Sequence, residues 1–280
     1  MTRYGMAIDL SRCTGCYDCQ IACKDEHVGN DFPPISVSQP TFGHFWLSIE
    51  EHELVFSPAH IKVAYIPKPC QHCSEAPCIA AGQNEAVYRR PDGIVIIDPE
   101  KAAGQKQIVE SCPYKVVFWN EEKNLPQMCT MCAHLLDDGW KEPRCVQTCP
   151  TNCIHFGNLD DPDSEISKFI KANNMEELHP ELNTRPLVRY VGLPKRHITG
   201  TLVCSDTDMC AADATVTLED LAGKTRVCRT DVFGYFDFDD VAKGKHALRC
   251  EIEGYHAHRV EIEVIRDVEY LGDLFVHKRT

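Results

Sequence analysis

Cysteine spacing constrains this chain more than any other feature. The first group, Cys13, Cys16, Cys19 and Cys23, reads C-x2-C-x2-C-x3-C. A second group is Cys70, Cys73 and Cys78, and a third is Cys112 alone, followed by Pro113. The fourth is Cys129, Cys132, Cys145 and Cys149, with Pro150 after the last. These are twelve of the seventeen cysteines in 280 residues. Thiols at this density serve disulfides, zinc or iron–sulfur clusters, and compartment and spacing decide among them.

The N-terminus, MTRYGMAIDLSRC, enters the first cysteine group at once. Neither a signal peptide nor an apolar run long enough to span a bilayer is read from it. Disulfides are therefore not expected, and a reducing cytoplasm is the expected compartment unless a signal on a partner subunit exports a folded complex. A net charge of -13 argues against nucleic acid or an anionic membrane as partner, since either needs a basic face. With 43% hydrophobic residues, the chain is long enough for about two domains.

Zinc competes for the same residues, because Cys pairs two residues apart also hold that ion. A zinc site needs two separated pairs, whereas the first group packs four cysteines into eleven residues with the spacing of bacterial ferredoxins. In that arrangement three thiolates hold one cluster and the fourth reaches across to another, so motifs work in twos. Cys13, Cys16, Cys19 and Cys149 are then expected on one [4Fe-4S] cluster. Cys23, Cys129, Cys132 and Cys145 take a second, and Cys70, Cys73, Cys78 and Cys112 a third. Lys24 stands where the motif usually has proline.

Over about residues 1 to 190 the chain resembles the iron–sulfur electron-transfer subunits of molybdopterin oxidoreductases. The resemblance rests on C-x2-C-x4-C at Cys70–Cys78, on Cys112-Pro113-Tyr114, and on the wide gap from Cys132 to Cys145. That family usually carries four clusters. Here Gly82, Ala102, Gln105 and Ile108 occupy the positions of one whole ligand set, which implies that one cluster has been removed. The segments Cys129-Thr-Met-Cys-Ala-His-Leu-Leu-Asp-Asp and Asp92-Gly-Ile-Val-Ile-Ile-Asp-Pro-Glu-Lys are similar to a narrower, three-cluster group, the pyrogallol–phloroglucinol transhydroxylase small-subunit family. This resemblance implies a large catalytic partner holding molybdenum with two molybdopterin guanine dinucleotides (Mo-bis-MGD). That partner moves hydroxyl groups between polyhydroxybenzenes without net electron flow, and the small chain has no catalytic residue. Analogy with four-cluster relatives puts the lost cluster inside the relay, leaving a long gap before a largely structural third cluster.

The expected fold class is α+β: a ferredoxin-like multi-[4Fe-4S] domain over 1–190, a linker over 191–198, and an all-β transthyretin-like or Cna-B-like sandwich over 199–280. Met6–Leu10 reads as a strand, Ala86–Arg90 and Gly93–Asp98 as a hairpin, and Ser164–Leu178 as a helix. Helical turns after each motif would aim amides at cluster sulfurs. The stretch 31–69 is too long for a turn and reads as an insertion, either facing a partner or covering the clusters. From Thr199 onward, short alternating runs with turns every eight to twelve residues carry the sandwich signature, and Thr230-Asp-Val-Phe-Gly-Tyr-Phe-Asp-Phe-Asp resembles the named modules. Cys153, Cys204, Cys210, Cys228 and Cys250 form no second motif and read as small buried or free thiols. His72 and His134 could donate to sulfur or simply face solvent, and Asp137-Asp138 and Asp160-Asp161 read as solvated loops. Three functions fit: the transhydroxylase subunit, an electron-delivery subunit of a molybdenum reductase such as a catechol dehydroxylase or anion reductase, and a free carrier or structural zinc protein.

Overall fold

The computed structural model describes residues 2–279. The chain forms two units, one comprising the chain up to Glu51 with Tyr65–Leu193, the other His52–Ala64 with the chain from Pro194 onward. The stretch 31–69 is thus shared between them. No helix among the described residues is long and apolar enough to cross a membrane.

The strands met first along the chain are β1 (Tyr4–Asp9), β2 (Ser48–Ser57), β3 (His60–Lys68), β4 (Val87–Arg89) and β5 (Val95–Ile97). They are followed by β6 (Phe118–Asn120), β7 (Leu125–Gln127), β8 (Ile154–Asn158) and β9 (Val188–Val191). Among the described residues, six short α-helices intervene: α1 (Asp18–His27), α2 (Pro77–Ala81), α3 (Gln107–Glu110), α4 (Ala133–Asp137), α5 (Arg144–Gln147) and α6 (Glu165–Ala172).

Met6, Ala7 and Ile8 in succession are fully buried, as happens when a strand is covered on both faces. β1 is accordingly the middle of a three-stranded sheet, antiparallel to β8 and parallel to β9. Three two-stranded ribbons, β2–β3, β4–β5 and β6–β7, complete the pairings of these strands. In β4–β5, Tyr88 faces Ile96 across the turn at Pro91–Gly93, and Gly93 takes the left-handed conformation the turn requires. Tyr190 of β9 is fully buried; its hydroxyl donates to Pro67 O (3.0 Å) and accepts from Gln71 Nε2 (3.3 Å), which anchors the chain just before the second cysteine group.

Helix α6 starts where the sequence places it, with the Ser164 hydroxyl accepting from Ser167 N at 3.2 Å. It ends at Ala172, short of the expected Leu178, because Asn173 and Asn174 are poor helix formers and the Asn173 side chain donates to Phe169 O at 2.8 Å. Glu176 then turns away to bridge Tyr190.

The second unit contains β10 (His197–Cys204), β11 (Met209–Cys210), β12 (Thr215–Asp220), β13 (Thr225–Arg229), β14 (Tyr235–Phe238), β15 (Gly244–Glu251), β16 (His258–Val264) and β17 (Val268–Val276). One sheet has the order β13-β12-β15-β16; in the other, β10 pairs β14, β11 and, in parallel, β17. Alternate residues such as Ile198 and Leu202 of one sheet and Val216, Leu218, Leu248 and Cys250 of the other share one core. The β2–β3 tip joins this unit through Phe56, whose carbonyl accepts from Thr199 Oγ1 at 2.8 Å and whose ring meets His197.

The first unit's interior makes two expectations testable. Tyr190→Phe strands the Pro67 carbonyl and is expected to cost about 1–2 kcal/mol, read as a lower denaturation midpoint. His27 is 1% exposed between Trp46 and Phe32, and burial holds its pKa down at about 3. Its neutral form belongs to the fold, so the stability it contributes is present above about pH 6.5 and is lost as pH falls toward 3, where the unfolded chain binds the extra proton. His27→Gln should flatten the pH dependence of the midpoint over that range; an unchanged profile would contradict this.

Candidate functional site: three groups of thiols

The first group is assembled from both ends of the first unit. The Cys19 thiol interacts electrostatically with Cys13, Cys149 and Cys16, and burial together with these neighbours pushes it up to about 12. Gly15 donates its amide to Cys13, and Gln20 to Cys19. Cys149 accepts from the amide of Cys153 at 3.3 Å, with the Thr151 hydroxyl 3.7 Å away. Gly15 has φ +65°, and the Tyr65 ring stands 2.5 Å from where a side-chain carbon would be, so this turn tolerates glycine alone. Cys16 lies at the surface, whereas Cys19 and Cys149 are buried.

The second group lies deeper. Cys23 interacts with Cys129 and Cys132, while Cys145 is surrounded by Cys132, Cys129, Cys23 and Cys19. Burial pushes Cys132 up to about 12 and Cys129 to about 11. Met131 and Cys132 both adopt left-handed backbone, turning the Met131 amide onto Cys129 Sγ at 3.4 Å. Leu47 and Arg144 supply amides to Cys23 and Cys132. Lys24, in the usual proline position, donates to Pro40 O (2.6 Å) and Gly43 O (2.8 Å), tying the following loop to α1.

Cys70, Cys73, Cys78 and Cys112 wall a single cavity with Val95, Tyr114 and Met128. Cys78 interacts with Cys112 and Cys73, and burial, the larger cause, pushes it up to about 11. The Thr184 hydroxyl donates to the Cys73 sulfur and lies 2.7 Å from Tyr114 Oη. Nothing in the spacing singled out Thr184, because it is 111 residues from Cys73 in sequence.

The residues standing in the fourth ligand set are packed shut. Ala102 and Ile108 are fully buried, and a side-chain carbon at Gly82 would lie 3.0 Å from Val87 Cγ2. Gln105 fills the remaining space, accepting from Gln83 N (2.8 Å) and donating to Lys101 O (2.8 Å).

The expected gap before the third group is absent. The Cys70 amide donates to the Cys129 thiol, the two thiols interact, and Cys70 Sγ is 3.6 Å from Met128 Sδ. The second and third groups are neighbours because the Pro69–Cys70 and Met128–Cys129 segments lie side by side. Since Cys19 and Cys145 also interact, the three groups form an unbroken series.

Further expectations are narrowed by the structure. His72 is buried with its Nδ1 accepting from Val95 N at 3.0 Å, so it fastens β5 to the cysteine loop and is held neutral, with a pKa near 3 from desolvation. His134 Nε2 pairs with Glu26 at 3.1 Å and its ring stacks on Phe32, so it too is no solvent-facing filler. Asp137 pairs with Arg90 at 2.6 Å and Asp160 with Arg3 at 2.9 Å, so neither is merely a solvated acid. Cys153 is a buried free thiol as expected, and its sulfur, 3.5 Å from Cys149 Sγ and hydrogen-bonded to Cys13, adds a fifth thiol at the first group. Of the other four extra cysteines, Cys204 and Cys250 are buried, Cys228 is half-buried and Cys210 is exposed.

Among the described residues, no three Cys, His, Asp or Glu side chains converge as ligands of one metal ion. Buried thiols surrounded by aimed amides suit clusters with several attachment points. Residues 61–159 match the family pattern described as a 4Fe-4S dicluster domain. The pyrogallol hydroxytransferase small subunit of Pelobacter acidigallici is 41% identical over 91% of this chain and 92% of its own length. One subunit of the sulfite dehydrogenase of Allochromatium vinosum is 32% identical over 70% of this chain and 85% of its own length. For the iron–sulfur subunit of the arsenate respiratory reductase of Shewanella sp. the figures are 28%, 68% and 96%. With its likeness to the pyrogallol hydroxytransferase small subunit extending over nearly its whole length, the chain belongs to the family of iron–sulfur subunits of the molybdopterin oxidoreductases.

Proposed function

We propose that this chain is the non-catalytic electron-transfer subunit of a molybdenum enzyme that transfers hydroxyl groups between polyhydroxybenzenes, of the pyrogallol-to-phloroglucinol type. The observation that carries the reading is the fourth position packed shut by Ala102, Gln105 and Ile108 beside three four-thiol groups. Cys13, Cys16, Cys19 and Cys149 would hold one [4Fe-4S] cluster. Cys23, Cys129, Cys132 and Cys145 would hold the second, and Cys70, Cys73, Cys78 and Cys112 the third. Such clusters supply one-electron chemistry at potentials set by charge, hydrogen bonds to sulfur and solvent exposure. The chain's own residues set those variables: Leu47, Met131, Cys70 and Arg144 aim amides at the second group, Thr184 places a hydroxyl on the third, and the protein interior excludes water from both.

The catalytic partner in this reading is a large subunit with Mo-bis-MGD. The first group, with Cys16 at the surface, is the one that meets it. The two-sheet unit serves as a transthyretin-like or Cna-B-like docking module, and the unpaired thiols suit a reducing cytoplasm. Electron delivery to a reductase is the second reading, favoured by one observation, the adjacency of Cys70 and Cys129 that leaves the series uncut.

The native complex, isolated anaerobically through this chain, should contain about twelve irons per copy, from three four-iron clusters, and about one molybdenum. It should convert pyrogallol to phloroglucinol with a tetrahydroxybenzene co-substrate and no external donor; zinc in place of iron would overturn the ligand assignment, and strict donor dependence would favour the reductase. Thr184→Val removes a hydrogen bond that stabilises the more negative, reduced state at the third group. One midpoint should fall by about 20–60 mV, taking about 0.5–1.5 kcal/mol for the bond and one electron, in an EPR-monitored titration with iron content unchanged.

A further inference from the structure

A wide cleft of the first unit lies outside the third group of thiols. It has a volume of about 1000 Å³, and although the chain carries a net charge of -13, the cleft is lined by Arg3, Lys171, Arg185 and Arg189, with Asp160 its one lining carboxylate. Arg3 pairs with Asp160 at 2.9 Å, Arg185 with Glu75 at 3.6 Å, and Arg189 with Glu177. The Arg3 and Arg185 side chains remain 50% and 76% exposed, and exposed pairs of this kind hold their cations weakly. Lys171 lies at the surface and has no ion-pair partner among the described residues.

The cleft wall is joined directly to the cysteine loop. Ser74, which lines the cleft, follows Cys73 and donates its amide to Arg185 O at 2.8 Å; Leu187, also lining it, donates to Gln71 O at 2.9 Å. Thr184, next to Arg185, bonds the Cys73 sulfur. The first group is at the other end of the same sheet. Arg3 and Leu159 flank the Tyr4–Asn158 end of the β1–β8 ladder, whereas Asp9 N bonds Cys153 O beside Cys149 at the far end. Six strand residues at about 3.3 Å each separate the ends by roughly 20 Å.

We propose that this basic cleft is the docking port for an acidic one-electron carrier protein of the ferredoxin class, which charges the relay through the third group. The inference rests on the reading of the chain as an iron–sulfur subunit and adds the place and chemistry of electron entry. Charge complementarity selects the partner: a cationic depression in an otherwise acidic molecule steers an acidic carrier to one orientation and repels it elsewhere. At each encounter the carrier is oxidised by one electron, the cluster at Cys70, Cys73, Cys78 and Cys112 is reduced by one, and no atom is exchanged. In an enzyme without net electron flow, such a port sets the number of electrons resident in the relay.

The test uses the anaerobic complex, mixed by stopped flow with a purified acidic ferredoxin reduced photochemically, with cluster bleaching followed at several ionic strengths. At low salt the Lys171→Glu/Arg185→Glu variant should react at least about tenfold more slowly than the wild type, the scale of electrostatic steering, and the two should converge at high salt. Reduction by a neutral photochemical reductant and iron content should be the same in both. Equal rates with the carrier at every salt concentration would overturn the port. Loss of the catalytic subunit from the variant would overturn it too, by making the cleft a subunit interface. Absence of iron from the wild type would instead bring down the parent reading.

Discussion

Crowding of ionisable thiols in a desolvated interior is the constraint on which the first unit depends. Burial raises the affinity of Cys19, Cys78, Cys129 and Cys132 for protons, and repulsion from neighbouring thiolates adds to it at Cys19, Cys78 and Cys132. Without a cofactor these groups stay protonated and hold nothing. Cluster ligation requires thiolates, so insertion expels protons and supplies the charge compensation that the interior lacks. The short helices, the left-handed residues at Met131 and Cys132, and the amides of Leu47 and Cys70 make sense as a lattice of donors arranged around sulfur.

In the three-cluster reading proposed above, the closed fourth position is how such a lattice would lose a member. Gln105 satisfies backbone groups at Gln83 and Lys101 that a vacated pocket would leave exposed, and Ala102 and Ile108 are fully buried beside it. Because Cys70 lies directly against Cys129, the closure trims the series at its edge and leaves continuity among the remaining groups. An iron–sulfur protein of this design can hold electrons near a partner's active centre without offering the long through-path of a four-cluster chain.

That these thiols gather into groups was legible because residue type and short spacing survive without knowledge of the fold. The β4–β5 hairpin and the alternating strands after Thr199 were legible for the same reason. What was hidden depends on residues far apart in the chain. Thr184 reaches Cys73, Leu47 reaches Cys23, and Cys70 meets Cys129 only because separate segments converge. The burial of His72 and His134 was hidden because their partners, Val95 and Glu26, come from other elements. The end of α6 shows the opposite limit: local side-chain chemistry at Asn173 overrode an apolar periodicity that continues past it.

The gradient of exposure across the thiols has a consequence for durability. Cys16 is at the surface, while Cys23, Cys129, Cys132 and Cys145 are only 5–6% exposed. Oxidants attack accessible sulfur first. Air damage to the isolated chain therefore has a direction, starting at the Cys16 rim and moving inward, and a partner that covers that rim acts as its oxygen shield.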